Sequence, residues 1–122
     1  MILTSQEIAR YRSELAECPG ALSALDAIED CEGDLEDAAI SLGIQVGQQP
    51  DRSDWLDGLA KRCRVAICQT QFRDDLLEGK LADVVSHLVA QKICPAILAT
   101  PIALYVVKCG VKEFCEPLDF KL

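Results

Sequence analysis

The stretch ALSALDAIEDCEGDLEDAAISLGI, residues 21–44, constrains the fold of this chain more than any other. Apolar residues recur at helical spacing on both sides of one Glu32-Gly33 pair, and Asp34 follows at once. Glycine tolerates the left-handed backbone just past a helix end, and a short acidic side chain caps the next helix by accepting its free amides. The pattern predicts a helix over residues 21–31 with Leu22, Leu25 and Ile28 inward. A second helix then buries Leu35, Ala38, Ala39 and Leu42 and closes at Gly43. Glu36 and Asp37 fall in its first turn, where the helix dipole favours anions. Strands would need apolar residues at every second position, and few stretches of the chain show that alternation.

The same region holds the charge. Residues 1–44 carry ten acids and two bases, whereas residues 45–122 carry ten of each, so the net charge of −8 belongs to one end of the sequence. Such a balance argues against nucleic-acid binding, which needs clustered Lys and Arg to meet phosphates. The one basic cluster, Lys61, Arg62 and Arg64, points to different sides of a helix and reads as a solvated face. The 122 residues suffice for one compact domain, or a small subdomain packed on a larger one, and half of them are apolar. Ala, Leu, Ile and Val dominate, while aromatics are limited to Tyr11, Trp55, Phe72, Tyr105, Phe114 and Phe120. An aliphatic, aromatic-poor core suits helices in close approach.

Thr4-Ser5-Gln6-Glu7 is a capping box, so a first helix starts there, with Ile8, Tyr11, Leu15 and Cys18 on its apolar face and Pro19-Gly20 as its stop. Residues 45–52, QVGQQPDR, read as a linker. A long helix follows from Ser53 or Asp54 to Leu77, with Trp55, Leu59, Cys63, Ala66, Ile67, Thr70 and Leu77 inward and a break near residues 69–72. Another runs over residues 81–91 and buries Leu81, Val84, Val85, Leu88 and Val89. Cys94-Pro95 and Thr100-Pro101 each suit a helix start, the alternative being one helix kinked at Pro101. A short strand at Val106-Val107 also fits their propensity. After Gly110, a turn of helix covers residues 111–115 and a tail follows Pro117. The chain is therefore predicted to be all-α: a three-helix unit over residues 1–44, a linker over 45–52, and a three- to four-helix unit over 53–122.

The first unit resembles the ubiquitin-associated (UBA) fold and the related N-terminal domain of elongation factor Ts. The resemblance lies in Ala21, Leu22, Leu25 and Ile28, then Cys31-Glu32-Gly33-Asp34-Leu35-Glu36, then Ala38, Ala39 and Leu42, about a third of the chain. It implies a three-helix, UBA-like fold packed on or linked to the remaining helices. Eukaryotic members grip ubiquitin mainly through a Met-Gly-Phe-like loop after their first helix and through the end of their third. The corresponding loop here, Glu17-Cys18-Pro19-Gly20, lacks the aromatic. By this resemblance the contact surface comprises Cys18, Pro19 and Gly20 with Leu42, Gly43 and Ile44. The acidic residues Asp30, Glu32 and Asp34 flank it.

Residues of types suited to chemistry fail their spacing tests. Seven acids and no base lie between Asp26 and Asp37, but with Gly33 as the glycine of a calcium loop its first and last ligands would be Ile28 and Ala39. Cys63 and Cys68 are five apart and point about 140° away from each other on a helix, so they cannot pinch a zinc ion. Cys94, Cys109 and Cys115 read as small buried hydrophobes. An odd cysteine total and an N-terminus without a secretory pattern predict reduced thiols and a cytoplasmic location. His87, the single histidine, lies near Asp83 and Ser86, yet neighbours on a helix point apart and no oxyanion loop is present. The longest uncharged run, residues 93–107, is too short for a membrane span.

These features describe a small cytoplasmic protein-interaction module without catalytic activity or cofactor. Its partner is a protein, one with a basic surface suiting the acidic end, and neither nucleic acid nor membrane. Two alternatives stand beside it: a thiol-based metal-binding or redox regulatory protein, and a structural homodimer formed through the C-terminal unit with Ile97, Leu104 and Tyr105 across the interface.

Overall fold

Thr4 opens the first helix by supplying a partner that the helix backbone cannot. Its hydroxyl accepts from the Glu7 amide at 3.1 Å, and the Glu7 carboxylate accepts from the Thr4 amide at 2.9 Å. The structure, a computed structural model, describes residues 1–50 and 54–119. Ser53, the distal linker residues and Phe120 lie outside them. Among the described residues the chain is all-α: α1 (Ser5–Glu14), α2 (Ala21–Asp30), α3 (Leu35–Gln45), α4 (Trp55–Arg62), α5 (Arg64–Ile67), α6 (Thr70–Leu77), α7 (Ala82–Ala90), α8 (Ala96–Cys109) and α9 (Val111–Asp119). The β-type pairing among them is a single antiparallel bridge between Ile2 and Asp34.

The α2–α3 turn forms as its residues dictate. Glu32 and Gly33 both adopt left-handed backbone, at φ 57° and 85°, and the Gly33 amide donates to the Ile28 carbonyl at 2.8 Å. Asp34 caps α3 by accepting from the Asp37 amide at 3.0 Å. The N-terminal segment lies across the turn, with Leu3 N–H donating to Gly33 O and Leu35 N–H to Met1 O, both at 2.9 Å. A β-carbon at Gly33 would collide with the Leu3 carbonyl oxygen. One inward position differs. Leu22 is 42 % exposed, and α2 turns Ala21 and Ala24 inward beside Leu25 and Ile28 instead. Gly43 does not close α3 either; it sits inside the helix because the Trp55 ring occupies the space its side chain would need.

The long helix expected up to Leu77 is three short ones, α4, α5 and α6, broken at Cys63 and at Cys68-Gln69. Each presents its own apolar set: Leu56, Leu59 and Ala60, then Ile67, then Phe72 and Leu76. Thr70 and Leu77 point out, as a continuous helix would not have required. At the second break the Arg73 Nε–H donates to the Cys68 carbonyl at 2.7 Å, and Cys68 is joined by a disulfide to Cys115 of α9. That bond corrects the reading of uniformly reduced thiols and of Cys115 as a simple hydrophobe.

α8 runs unbroken through Pro101, so the two segments form one continuous helix, and the strand at Val106-Val107 does not form. α9 likewise continues through Pro117 as far as Asp119. From Leu98 through Val106 every residue of α8 is buried, and a helix apolar on all sides belongs at the centre of a fold. α2, α3, α4 and α7 pack around it. Thr100 is fully buried there, and its Oγ1 has no hydrogen-bond partner. Leu25, Ile28, Leu35 and Leu42 from the first unit share one cluster with Leu81, Leu88, Leu98 and Ile102 from the second. The two units are thus packed together on a common core. Polar clasps add to it: Lys108 of α8 meets Glu7 at 2.8 Å, and the Leu81 amide donates to the Glu14 carboxylate at 3.0 Å. Leu104 and Tyr105, assigned above to a dimer surface, are buried inside this core.

Candidate functional site

The acidic residues of the first unit divide by what they already hold. Arg12 reaches across from α1 to Asp26 at 2.8 Å and Glu29 at 3.2 Å, and Glu36 meets the N-terminal ammonium at 2.9 Å. Asp34 is spent on its cap. Asp30 and Glu32 remain fully at the surface at the α2–α3 turn. Cys31 between them is half-buried, and its thiol pKa is raised by burial and by the charges of Asp37, Asp34 and Asp30. The turn is therefore an anionic projection held on a fixed backbone.

Cys18, Pro19 and Gly20 lie elsewhere. They precede α2, and a helix of ten residues is about 15 Å long, so they sit at its far end from Asp30, Glu32 and Asp34. Cys18 is buried with its Sγ 3.7 Å from the Ala82 carbonyl and from Ser86 Oγ. Gly20 faces the backbone of Ala96 and Ile97, which a β-carbon at this position would meet at 3.1 Å. Leu42 and Gly43 are buried as well, the latter under Trp55, leaving Pro19 and Ile44 as the exposed members. The chain's own α7, α8 and Trp55 cover most of the surface that the UBA resemblance assigns to a partner.

A second site emerges at the same end of the molecule. Gln48, Leu59, Arg62, Cys63, Ile93, Cys94, Pro95 and Leu98 line a cleft of about 200 Å³. Cys63 occupies the joint between α4 and α5, and Cys94 lies in the loop ahead of α8, so both thiols come from helix ends. Both side chains line this one cleft. Donation from Cys94 pulls the Cys63 thiol pKa down, aided by the Arg62 charge and opposed by burial, while the same contact and burial push Cys94 well up. The sequence left this pair unseen because the partners are distant in the chain, and nothing local to either names the other.

The remaining candidates resolve simply. His87 stacks at a tilt on Phe72, ring centroids 5.0 Å apart, while Ser86 faces Cys18, so the two do not converge. Of the basic cluster, Lys61 pairs with Asp57 at 2.8 Å and Arg64 lies over the Phe114 ring at 4.9 Å. Cys109 is exposed rather than buried. Among the described residues no group of three or more His, Cys, Asp or Glu side chains could hold a metal ion, and no helix is long and apolar enough to cross a membrane. Comparison with protein-family models, with curated proteins and with solved structures finds no match to this chain.

Proposed function

We propose that this protein is a non-catalytic recognition module that engages a basic segment of a protein partner through its α2–α3 turn. The observation that carries the reading is Glu32. A glutamate in left-handed backbone is strained where glycine would not be, and its carboxylate serves no cap and no ion pair among the described residues. Asp30 stands beside it, and the net charge of −8 supplies a long-range field that steers a cationic segment toward the turn. The UBA-like pattern of residues 21–42 supports the same reading through a family whose members grip a protein.

Anisotropy titration of a labelled oligo-arginine peptide tests it. The Asp30→Lys/Glu32→Lys variant is expected to bind about tenfold more weakly at low salt, as loss of facing charge dictates. An Asp83→Lys/Glu116→Lys control, which changes the net charge equally through exposed residues of the other unit, should fall by less than about twofold. Equal losses in both variants would reduce the interaction to net charge and remove the turn from it.

A further inference from the structure

Five cysteines are free: Cys18, Cys31, Cys63, Cys94 and Cys109. Two of them, Cys63 and Cys94, meet in one cleft with no third metal-ligating side chain among the described residues. Cys63 is 3 % exposed, so a bulky disulfide or a folded protein has no direct line to its sulfur, whereas a small molecule entering the cleft does. Each thiol is attached where the backbone has already left the helix. Cys63 has φ −96° and ψ 4° between α4 and α5, and Cys94 precedes the extended Pro95. Closing a bond between them asks for no break in a helical hydrogen-bond ladder.

We propose that Cys63 and Cys94 form an oxidisable dithiol that a small hydroperoxide converts to a disulfide, tying the α4–α5 joint to the loop that opens α8. The Cys63 thiolate attacks the terminal peroxide oxygen, the O–O bond breaks, and Cys63 becomes a sulfenic acid as one water is released from hydrogen peroxide. Cys94 then attacks the Cys63 sulfur; the S–O bond breaks, the S–S bond forms, and hydroxide leaves as a second water with the thiol proton. Two electrons pass from the dithiol to one peroxide, which ends as two waters.

Several groups bias the reaction to this pair. The Cys94 S–H and the Arg62 charge favour the thiolate at Cys63, the form that reacts, whereas burial and three neighbouring carboxylates disfavour it at Cys31. The consequence is mechanical. The far end of α5 is already fixed to α9 by Cys68–Cys115, so oxidation would clamp this four-residue helix at both ends.

The test is a timed hydrogen peroxide titration of the purified full chain under native conditions, followed by thiol counting and peptide mapping. A Cys63–Cys94 cross-link should form with loss of two of the five free thiols. Cys63 should be oxidised several-fold faster than the exposed Cys109, because its setting in the cleft favours the reactive thiolate. In Cys94→Ser no cross-link can form, and a sulfenic acid that dimedone labels should accumulate at Cys63. Oxidation of Cys109 ahead of Cys63, or a Cys94→Ser variant with no label at Cys63, would overturn the proposal.

Discussion

Glu32 holds its backbone at φ 57°, where a β-carbon crowds the following carbonyl, and the next residue, Gly33, holds a similar conformation without that penalty. The difference makes the site testable in two currencies at once. Glu32→Gly is expected to raise stability by roughly 0.5–1 kcal/mol in urea unfolding while weakening binding of a basic peptide. Glu32→Ala separates the effects, because it removes the carboxylate and keeps the strain; its stability should stay near that of the parent. A Glu32→Gly protein no more stable than the parent would mean the turn holds its shape without strain. This turn was legible in the sequence because its chemistry is local: the glycine, the cap and the first-turn acids lie within a few residues. Gly43 was not, since the reason for it is the Trp55 ring arriving from the next helix. The Cys63 and Cys94 pairing was hidden for the same reason, and so was the covering of Cys18 and Gly20 by α7 and α8.

Helices were readable to the extent that their ends are written in their own residues. α1, α2 and α3 carry a capping box, a Pro-Gly stop, a left-handed turn and an Asp cap, and their positions follow from these. α4, α5 and α6 have no side-chain cap, and their breaks answer to tertiary contacts that periodicity does not record. α8 is apolar on all sides, so no stripe announced which face is inward; all of them are. The disulfide ties α9 to the α5–α6 joint, and the bond closes a loop with a sequence separation of 47 residues. Cross-linking a loop of that size removes unfolded-state entropy worth about 4 kcal/mol. A Cys68→Ser/Cys115→Ser protein should lose about that much stability in urea unfolding. Hydrogen exchange should rise in α9 and remain slow in α2, whose packing on α8 does not involve the bond. Uniform acceleration in both helices would show instead that the bond steadies the whole core.

Across the whole molecule, the strongest opposition is between a surplus of negative charge and the few ion pairs that fasten distant elements. Lowering the pH relieves the first and dissolves the second. Glu7 decides much of the second effect, since one carboxylate caps α1 and holds Lys108 of α8. The Lys108 ammonium, followed by the Thr4 amide, keeps the Glu7 pKa below its ordinary 4.5, and Lys61 with Tyr105 keeps Asp57 below 3.8. A carboxyl with a lower pKa folded than unfolded takes up protons more readily when unfolded, so each contribution is complete above the ordinary value and is lost as pH falls through the folded one. Relief of general repulsion runs the other way, but it is spread over exposed groups and largely screened at physiological salt, whereas these pairs are in contact. Stability should therefore fall below about pH 4.5 even as the net charge shrinks. Glu7→Gln isolates the charge, because its amide oxygen can still accept from Thr4 while the attraction to Lys108 is gone. At neutral pH this variant should be less stable than the parent by about 0.5–1 kcal/mol, the usual range for a partly exposed pair. As pH falls below that ordinary 4.5 the gap should shrink, since the parent's Glu7 then itself loses its charge. A gap of constant size across that range, measured by urea unfolding, would assign Glu7 to capping alone and leave α1 and α8 joined only by their shared apolar core.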